Sequence, residues 1–144
     1  MSTIAEWSRL SELLDDSADV AAAVAQAADD PGVDPWAVLI DALDGAGALA
    51  YLDWKDSGQQ VAAALALLPR IADAGLDLGE VAAAEEDAPA AVAAVNRALD
   101  AYGITVVHLD EDSDAYPLVA VASGDADRVA ALAQSLGRTA RVYR

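Results

Sequence analysis

The chain has 144 residues, with 25 Asp and Glu against 8 Lys and Arg, so its formal net charge is −17 at neutral pH. The length predicts a single domain over residues 1–144, and the charge argues against nucleic acid or anionic lipid as a partner. The sequence has no Cys, which excludes disulfides, a thiolate nucleophile and a Cys-based zinc site and favours a cytoplasmic location. Its apolar stretches are diluted by Ala and fall well short of the roughly 18 residues that indicate a membrane span.

Residues 1–46 are predicted to form three helices. The first shows four apolar residues at steps of three and four, the spacing of a helix that buries one face: Ile4, Trp7, Leu10 and Leu14. An Ala-rich segment after Ser17 predicts a second helix, which ends before Pro31. Asp34 followed by Pro35 predicts the start of a third helix, because Asp caps helix N-termini and Pro suits the first helical position.

The middle of the chain is predicted to contain one strand and then helices. Residues 49–54 form the expected strand. Ser57 and Gln60 have the spacing of a capping box at a helix N-terminus. That helix is expected to kink or restart at Pro69, and residues 76–87 are expected to be mostly loop. Asp87 is a candidate cap for the next helix.

The last third of the chain is predicted to form a hairpin, a helix and a strand. Residues 104–109 and 116–121 are expected strands, joined by a turn at 110–115. Ser123 is a candidate cap for the helix that follows. Residues 139–143 are expected to form the final strand. It carries Arg141, a charge suited to an exposed sheet edge.

From residue 47 onward, the order of elements is β, α, β, β, α, β, which is the order of ferredoxin-like domains. It predicts an α+β fold with a four-stranded antiparallel sheet in the spatial order 4-1-3-2 and its helices on one face. The strand at 104–109 is apolar on both faces, and such a strand needs two covers. We therefore expect residues 1–46 to be a helical extension that covers the second face of the 47–144 core.

This topology brings two acidic segments together. Its first two strands run in the same direction, so the segments that follow them lie at one end of the sheet. We name this region the acidic rim, and its predicted members are Asp53, Trp54, Lys55, Asp56, Asp110, Glu111, Asp112, Asp114 and Tyr116. Clustered carboxylates attract a basic surface by electrostatic steering. The rim therefore predicts a non-enzymatic protein that binds a basic protein partner, as inhibitor or immunity proteins do.

Two other interpretations of the acidity stay open. Asp110, Asp112 and Asp114 have the opening spacing of an EF-hand, but the loop lacks the required Gly and Glu, so an EF-hand is excluded. Together with Asp53 and Asp56 they leave open a divalent-cation-binding module or a metal-dependent enzyme that uses these carboxylates. Alternatively, the Asp-rich composition is an adaptation to a salty cytosol and has no specific partner. No cofactor is predicted. His108 has no catalytic partner at a recognised spacing and is expected to be structural.

Two segments carry a resemblance to a known family. Residues 51–58 (YLDWKDSG) and 109–118 (LDEDSDAYPL) resemble segments of small acidic bacterial proteins classed as a domain of unknown function. The resemblance extends over about residues 36–137. It implies a bacterial, cytosolic protein, and it supplies no reaction, cofactor or catalytic residue.

Overall fold

The computed structural model describes residues 2–53, 55–79, 81, 85 and 87–144. Its helices are α1 (Ser2–Leu14), α2 (Ala18–Ala28), α3 (Pro35–Gly45), α4 (Gly58–Leu65), α5 (Pro69–Ala74), α6 (Ala88–Leu99) and α7 (Ser123–Ser135). Its strands are β1 (Ala50–Asp53), β2 (Ile104–Asp110), β3 (Ala115–Ala122) and β4 (Thr139–Arg141). Among the described residues, no helix is long and apolar enough to cross a bilayer.

Local hydrogen bonds explain where several helices begin. The Asp34 side chain accepts from the backbone N–H of Trp36 and caps α3. Ser57 and Gln60 exchange the two bonds of a capping box at the start of α4. The Asp87 carboxylate caps α6. These three predictions are confirmed. The sequence allowed them because side-chain capping is a local interaction between residues close in sequence.

The prediction that Ser123 caps the last helix is wrong. Helix α7 begins at Ser123 itself, and its N-cap position is Ala122, which offers no capping side chain. The Ser123 hydroxyl instead lies 2.8 Å from the hydroxyl of Thr105 on β2. Thr105 is buried, so this contact satisfies a polar group that would otherwise lack a partner.

The four strands form one antiparallel sheet in the order β1-β3-β2-β4. The α+β class and the antiparallel sheet are therefore confirmed, whereas the predicted order 4-1-3-2 is wrong. Strand β4 pairs with β2, with Arg141 opposite His108, and not with β1. It is also shorter than predicted, since pairing ends at Arg141.

The position of β4 also changes the arrangement of the helices. Crossover connections between parallel strands are almost always right-handed. A right-handed crossover from β3 to a strand beyond β2 must pass over the opposite face from the one used between β1 and β2. In the 4-1-3-2 order both crossovers would use the same face. The ferredoxin-like arrangement, with its helices on one face, is therefore not the one adopted.

The observed packing agrees with this argument, because two separate apolar clusters cover the two faces of the sheet. One cluster joins α1, α2, α3 and α7 to the sheet residues Val107, Leu109, Val119 and Val121. The other joins α4, α5 and α6 to Ile104, Val106, Leu118 and Ala120. Alternate residues of β2 and β3 thus enter opposite clusters, as the two-residue period of a strand requires.

The outer edge of β2 is completed by a side chain. Strand β4 pairs only with residues 108–110 of β2, which leaves Val106 without a strand partner on that side. The Asn96 amide of α6 takes this role. Its Nδ2 donates to the Val106 carbonyl at 3.2 Å, and its Oδ1 accepts from the Val106 N–H at 2.7 Å. Asn96 Nδ2 also donates to the carbonyl of Tyr143 at 2.8 Å.

We expect Asn96→Ala to lower the free energy of unfolding by about 2–4 kcal/mol, because it leaves two buried backbone groups of Val106 unpaired. Urea unfolding followed by circular dichroism measures this change. The matched control is Arg97→Ala, at the exposed neighbouring position, which should change stability by less than about 0.5 kcal/mol. Equal stabilities for the two variants would contradict this role of Asn96.

Candidate functional site

The two acidic segments lie side by side in the structure. Strands β1 and β2 both run antiparallel to β3, so they point in the same direction and end at the same end of the sheet. Asp53, the last residue of β1, lies opposite Ala115, the first residue of β3. The predicted proximity of the segments is therefore observed. Trp54 is outside the described residues.

The turn between β2 and β3 is held by its own side chains. The Asp110 carboxylate accepts from the backbone N–H of Asp112 at 2.8 Å, and the Ser113 hydroxyl accepts from the N–H of Ala115 at 3.1 Å. Asp112 has a φ of 58°, in the left-handed region that Asp and Asn tolerate better than other non-Gly residues. The side chains of Asp112 and Asp114 are exposed. The turn thus presents charge from a defined backbone.

The segment after β1 forms a second ordered acidic turn. The Asp53 carboxylate accepts from the backbone N–H of Lys55 at 2.9 Å, and the Asp56 carboxylate accepts from the N–H of Asp53 at 2.8 Å. Asp53 and Lys55 are exposed, and Asp56 is half-buried. Helix capping at this point belongs to Ser57 and not to Asp56.

Asp110 links the rim to two other parts of the fold. Its carboxylate forms an ion pair with Arg141 of β4 at 2.9 Å. Its backbone carbonyl accepts from the indole N–H of Trp36 at 2.8 Å. Trp36 is 1% exposed and lies in the first turn of α3, so the start of α3 is fixed against the end of β2. Arg138 adds a further link, since it pairs with Asp34 at 2.7 Å.

Tyr51 is a rim residue that the sequence analysis missed. Its side chain is 52% exposed, and its hydroxyl is hydrogen-bonded to the Glu111 carboxylate across β3. This bond, together with partial burial and the negative charge of Glu111, Asp41 and Asp44, raises the pKa of Tyr51 to about 12. An exposed aromatic ring therefore lies among carboxylates from the β2–β3 turn and α3. The signal in the sequence is that Tyr51 and Asp53, two residues apart in a strand, share a face.

A second aromatic group lies beneath the rim on the other face. The His108 ring stacks on Tyr116 with centroids 4.6 Å apart, and its Nδ1 lies 2.7 Å from the Tyr143 hydroxyl. His108 is 5% exposed, as expected for a structural histidine. Burial lowers its pKa below the ordinary value, and burial also raises the pKa of Tyr143 to about 12. Tyr116, a predicted member of the rim, is half-buried and stacks on His108.

The geometry gives little support to metal chemistry at the rim. Within the described ranges, no group of three or more His, Asp and Glu side chains is arranged to hold a metal ion. The carboxylates of Asp53, Asp56 and Asp110 each accept from a local backbone N–H, and that of Asp110 also pairs with Arg141. Their arrangement produces a negatively charged surface with a fixed shape.

The comparison with protein families identifies the chain at the level of a family. A family model described as "Domain of unknown function (DUF6630)" matches residues 6–143, so the chain belongs to this family. This agrees with the resemblance drawn from the two acidic segments. No curated protein and no solved structure matches the chain.

We expect Trp36→Phe to lower the free energy of unfolding by about 1–3 kcal/mol more than Trp7→Phe does. Both substitutions remove similar ring volume from one packed pair, but only the first removes the donor to the Asp110 carbonyl. Chemical denaturation of the two variants measures the difference. Equal losses would show that the indole–carbonyl bond does not fix the rim to α3.

Proposed function

We propose that this member of the DUF6630 family is a non-enzymatic protein whose acidic rim, extended by Tyr51, binds a basic protein partner. The observation that carries the proposal is the exposed Tyr51 ring, which lies among carboxylates from the β2–β3 turn and α3. We further propose a bacterial cytoplasmic setting, on the ground of the family resemblance and the absence of Cys.

The charge of the rim supports this proposal. Six carboxylates lie there with one Lys, and among the described residues Arg141 forms an ion pair with Asp110. A concentrated field of one sign accelerates the encounter with a partner of opposite sign and disfavours acidic partners. Because the two turns are held by their own hydrogen bonds, little conformational entropy is lost when a partner binds.

Tyr51 supplies an aromatic contact surface, which carboxylates alone do not provide. Exposed aromatic residues contribute much of the binding energy in protein interfaces, since they bury a large rigid surface with few rotatable bonds. A tyrosine ring also attracts Lys and Arg through its π face. Tyr51 with Glu111 therefore suits a cationic side chain of the partner, which would contact the ring and the carboxylate together.

The competing explanation is salt adaptation, in which the acidity only keeps the protein soluble. Salt adaptation predicts that removing a carboxylate has the same effect at any exposed position. A binding surface predicts that the rim carboxylates contribute more than the others to affinity for the partner. The structure offers a direct comparison. Asp112 and Asp114 lie on the rim, while Asp73 of α5 and Asp127 of α7 are exposed elsewhere.

We expect the double variant Asp112→Asn/Asp114→Asn to bind the partner about tenfold more weakly, because two steering charges are lost. Asn also tolerates the left-handed backbone of Asp112, so the turn is retained. The partner is captured on the immobilised protein from an extract of the producing cells, identified by mass spectrometry, and titrated in purified form by calorimetry at low and high salt.

The matched control is Asp73→Asn/Asp127→Asn, which removes the same charge from other surfaces and should leave binding nearly unchanged. Equal loss in both double variants would favour salt adaptation. Affinity that does not change with salt, or a captured partner that is acidic, would overturn the proposed function.

We also expect Tyr51→Ala to weaken binding of the same purified partner by about tenfold or more, the loss typical of an interface aromatic. Tyr102→Ala is the control, because Tyr102 is similarly exposed but precedes β2 at the other end of the sheet. Calorimetric titrations of both variants measure the effect. Equal affinities would remove Tyr51 from the binding surface.

A further inference from the structure

We propose that β4 and Tyr143 form an acid-released cover on the outer edge of β2, with His108 as the group whose protonation opens it. This inference is independent of the proposed partner. It rests on the packing around the one His of the sequence.

The His108 side chain is enclosed by aromatic rings. It stacks on Tyr116 at a centroid distance of 4.6 Å, with an angle of 8° between the rings, and it lies 5.8 Å from the ring of Tyr143. Nδ1 is paired with the Tyr143 hydroxyl. Nε2 is buried and has no hydrogen-bond partner among the described residues.

Protonation does not suit this environment. If the Tyr143 hydroxyl donates to Nδ1, a proton added there forces the hydroxyl to turn and accept instead. If Nδ1–H donates to the hydroxyl, the added proton goes to Nε2, which is buried and forms no hydrogen bond with the described residues in the closed form. In both tautomers the protonated ring is a buried cation, and the favourable effect of the Ala115 backbone on the charged form is smaller than the opposing effect of burial.

Some of the charged and titratable groups around His108 favour its protonated form, and others oppose it. The strongest influence is burial, which opposes the charged form. Among the neighbours, Asp110, Glu111 and the Ala115 carbonyl favour the charged form, and Arg141 opposes it. On this face α6 contributes the amide of Asn96 to Tyr143, and an amide does not titrate. The groups involved are Asp110 at the end of β2, Glu111 after it, Tyr116 on β3, Arg141 on β4 and Tyr143 after β4.

Strand β4 is the element that can detach from the sheet. It has three residues, two of which are exposed, and it pairs with β2 along one edge only. Strands β2 and β3, in contrast, pair over five residue positions and are buried on both faces. Short elements with few buried contacts open at lower free energy than the core. Release of residues 139–144 therefore exposes the His108 ring without unfolding the sheet.

The direction of the pH effect follows from linkage. In the open form His108 is solvated and its pKa returns to about 6.5, whereas in the closed form its pKa is lower. The contribution of neutral His108 to the stability of the closed form is therefore fully present above about pH 6.5. It is lost as the pH falls through the interval between the pKa of the open form and the lower pKa of the closed form. Within that interval, the open population rises by up to about tenfold per pH unit.

Opening would also change the rim. Arg141 moves away with β4, and the Asp110 carboxylate loses its ion pair. The released edge of β2, at residues 108–110, then presents backbone donors and acceptors that were paired before. Acidification would thus unmask one rim carboxylate and a strand edge together.

Hydrogen exchange measured by NMR between pH 7.5 and 5 tests the proposal, with rates corrected for the intrinsic pH dependence. We expect the protection of amides in 139–143 to fall by up to about tenfold per pH unit below about pH 6.5, while amides of 118–121 keep theirs. In His108→Phe, which retains a stacked ring but does not titrate, protection of 139–143 should not change with pH. The same decrease in this variant would overturn the proposal.

A second measurement needs no variant. The ring signals of His108 in the wild-type protein should titrate with a midpoint below about 6.5, and the amides of Arg141 and Tyr143 should shift with the same midpoint. A His108 midpoint with no accompanying change at Tyr143 would contradict the proposal. So would simultaneous loss of protection in 118–121, since opening would then be global.

Discussion

Strand β2 imposes the central constraint on this fold, because it is buried on both faces and must also be hydrogen-bonded along both edges. Strand β3 satisfies one edge over most of its length. The other edge is shared between the short strand β4 and the amide of Asn96, which occupies the place of a missing strand residue at Val106. An unpaired backbone group at this depth costs about 1–3 kcal/mol, so each partner is needed.

The rim follows from the same strand. Because the end of β2 is held by Trp36 from α3 and by Arg141 from β4, the turn that follows begins from a fixed point. The Asp110 carboxylate is then positioned by the bond that it accepts from the backbone N–H of Asp112. Like charges are thus kept close together by the hydrogen bonds within the two turns.

The sequence was informative where the determining interactions are local or shared by several topologies. The caps at Asp34 and Ser57 involve residues two or three positions apart, and they were predicted correctly. The meeting of the two acidic segments was also predicted, although the strand order was wrong. It requires only that β3 lie between β1 and β2, and the orders 4-1-3-2 and 1-3-2-4 have this feature in common.

The failures concern long-range choices. Whether β4 pairs with β1 or β2 depends on which edge its helix can reach while packing with α1, and the three-residue strand carries little signal of its own. Tyr51 was missed because an apolar ring in a strand usually indicates the core, and its exposure depends on the surroundings of β1 in the folded chain. The Tyr143–His108 contact spans 35 residues and leaves no periodic pattern.

The lengths of the two outermost strands have a consequence for behaviour at high concentration. Strands β1 and β4 have four and three residues, so the sheet offers only a very short template to a neighbouring molecule. Long, flat edges are the ones that recruit further chains into aggregates. Resistance to fibril growth is therefore a property of the sheet geometry as well as of the repulsion between chains, and the geometric part persists in concentrated salt, where repulsion is screened.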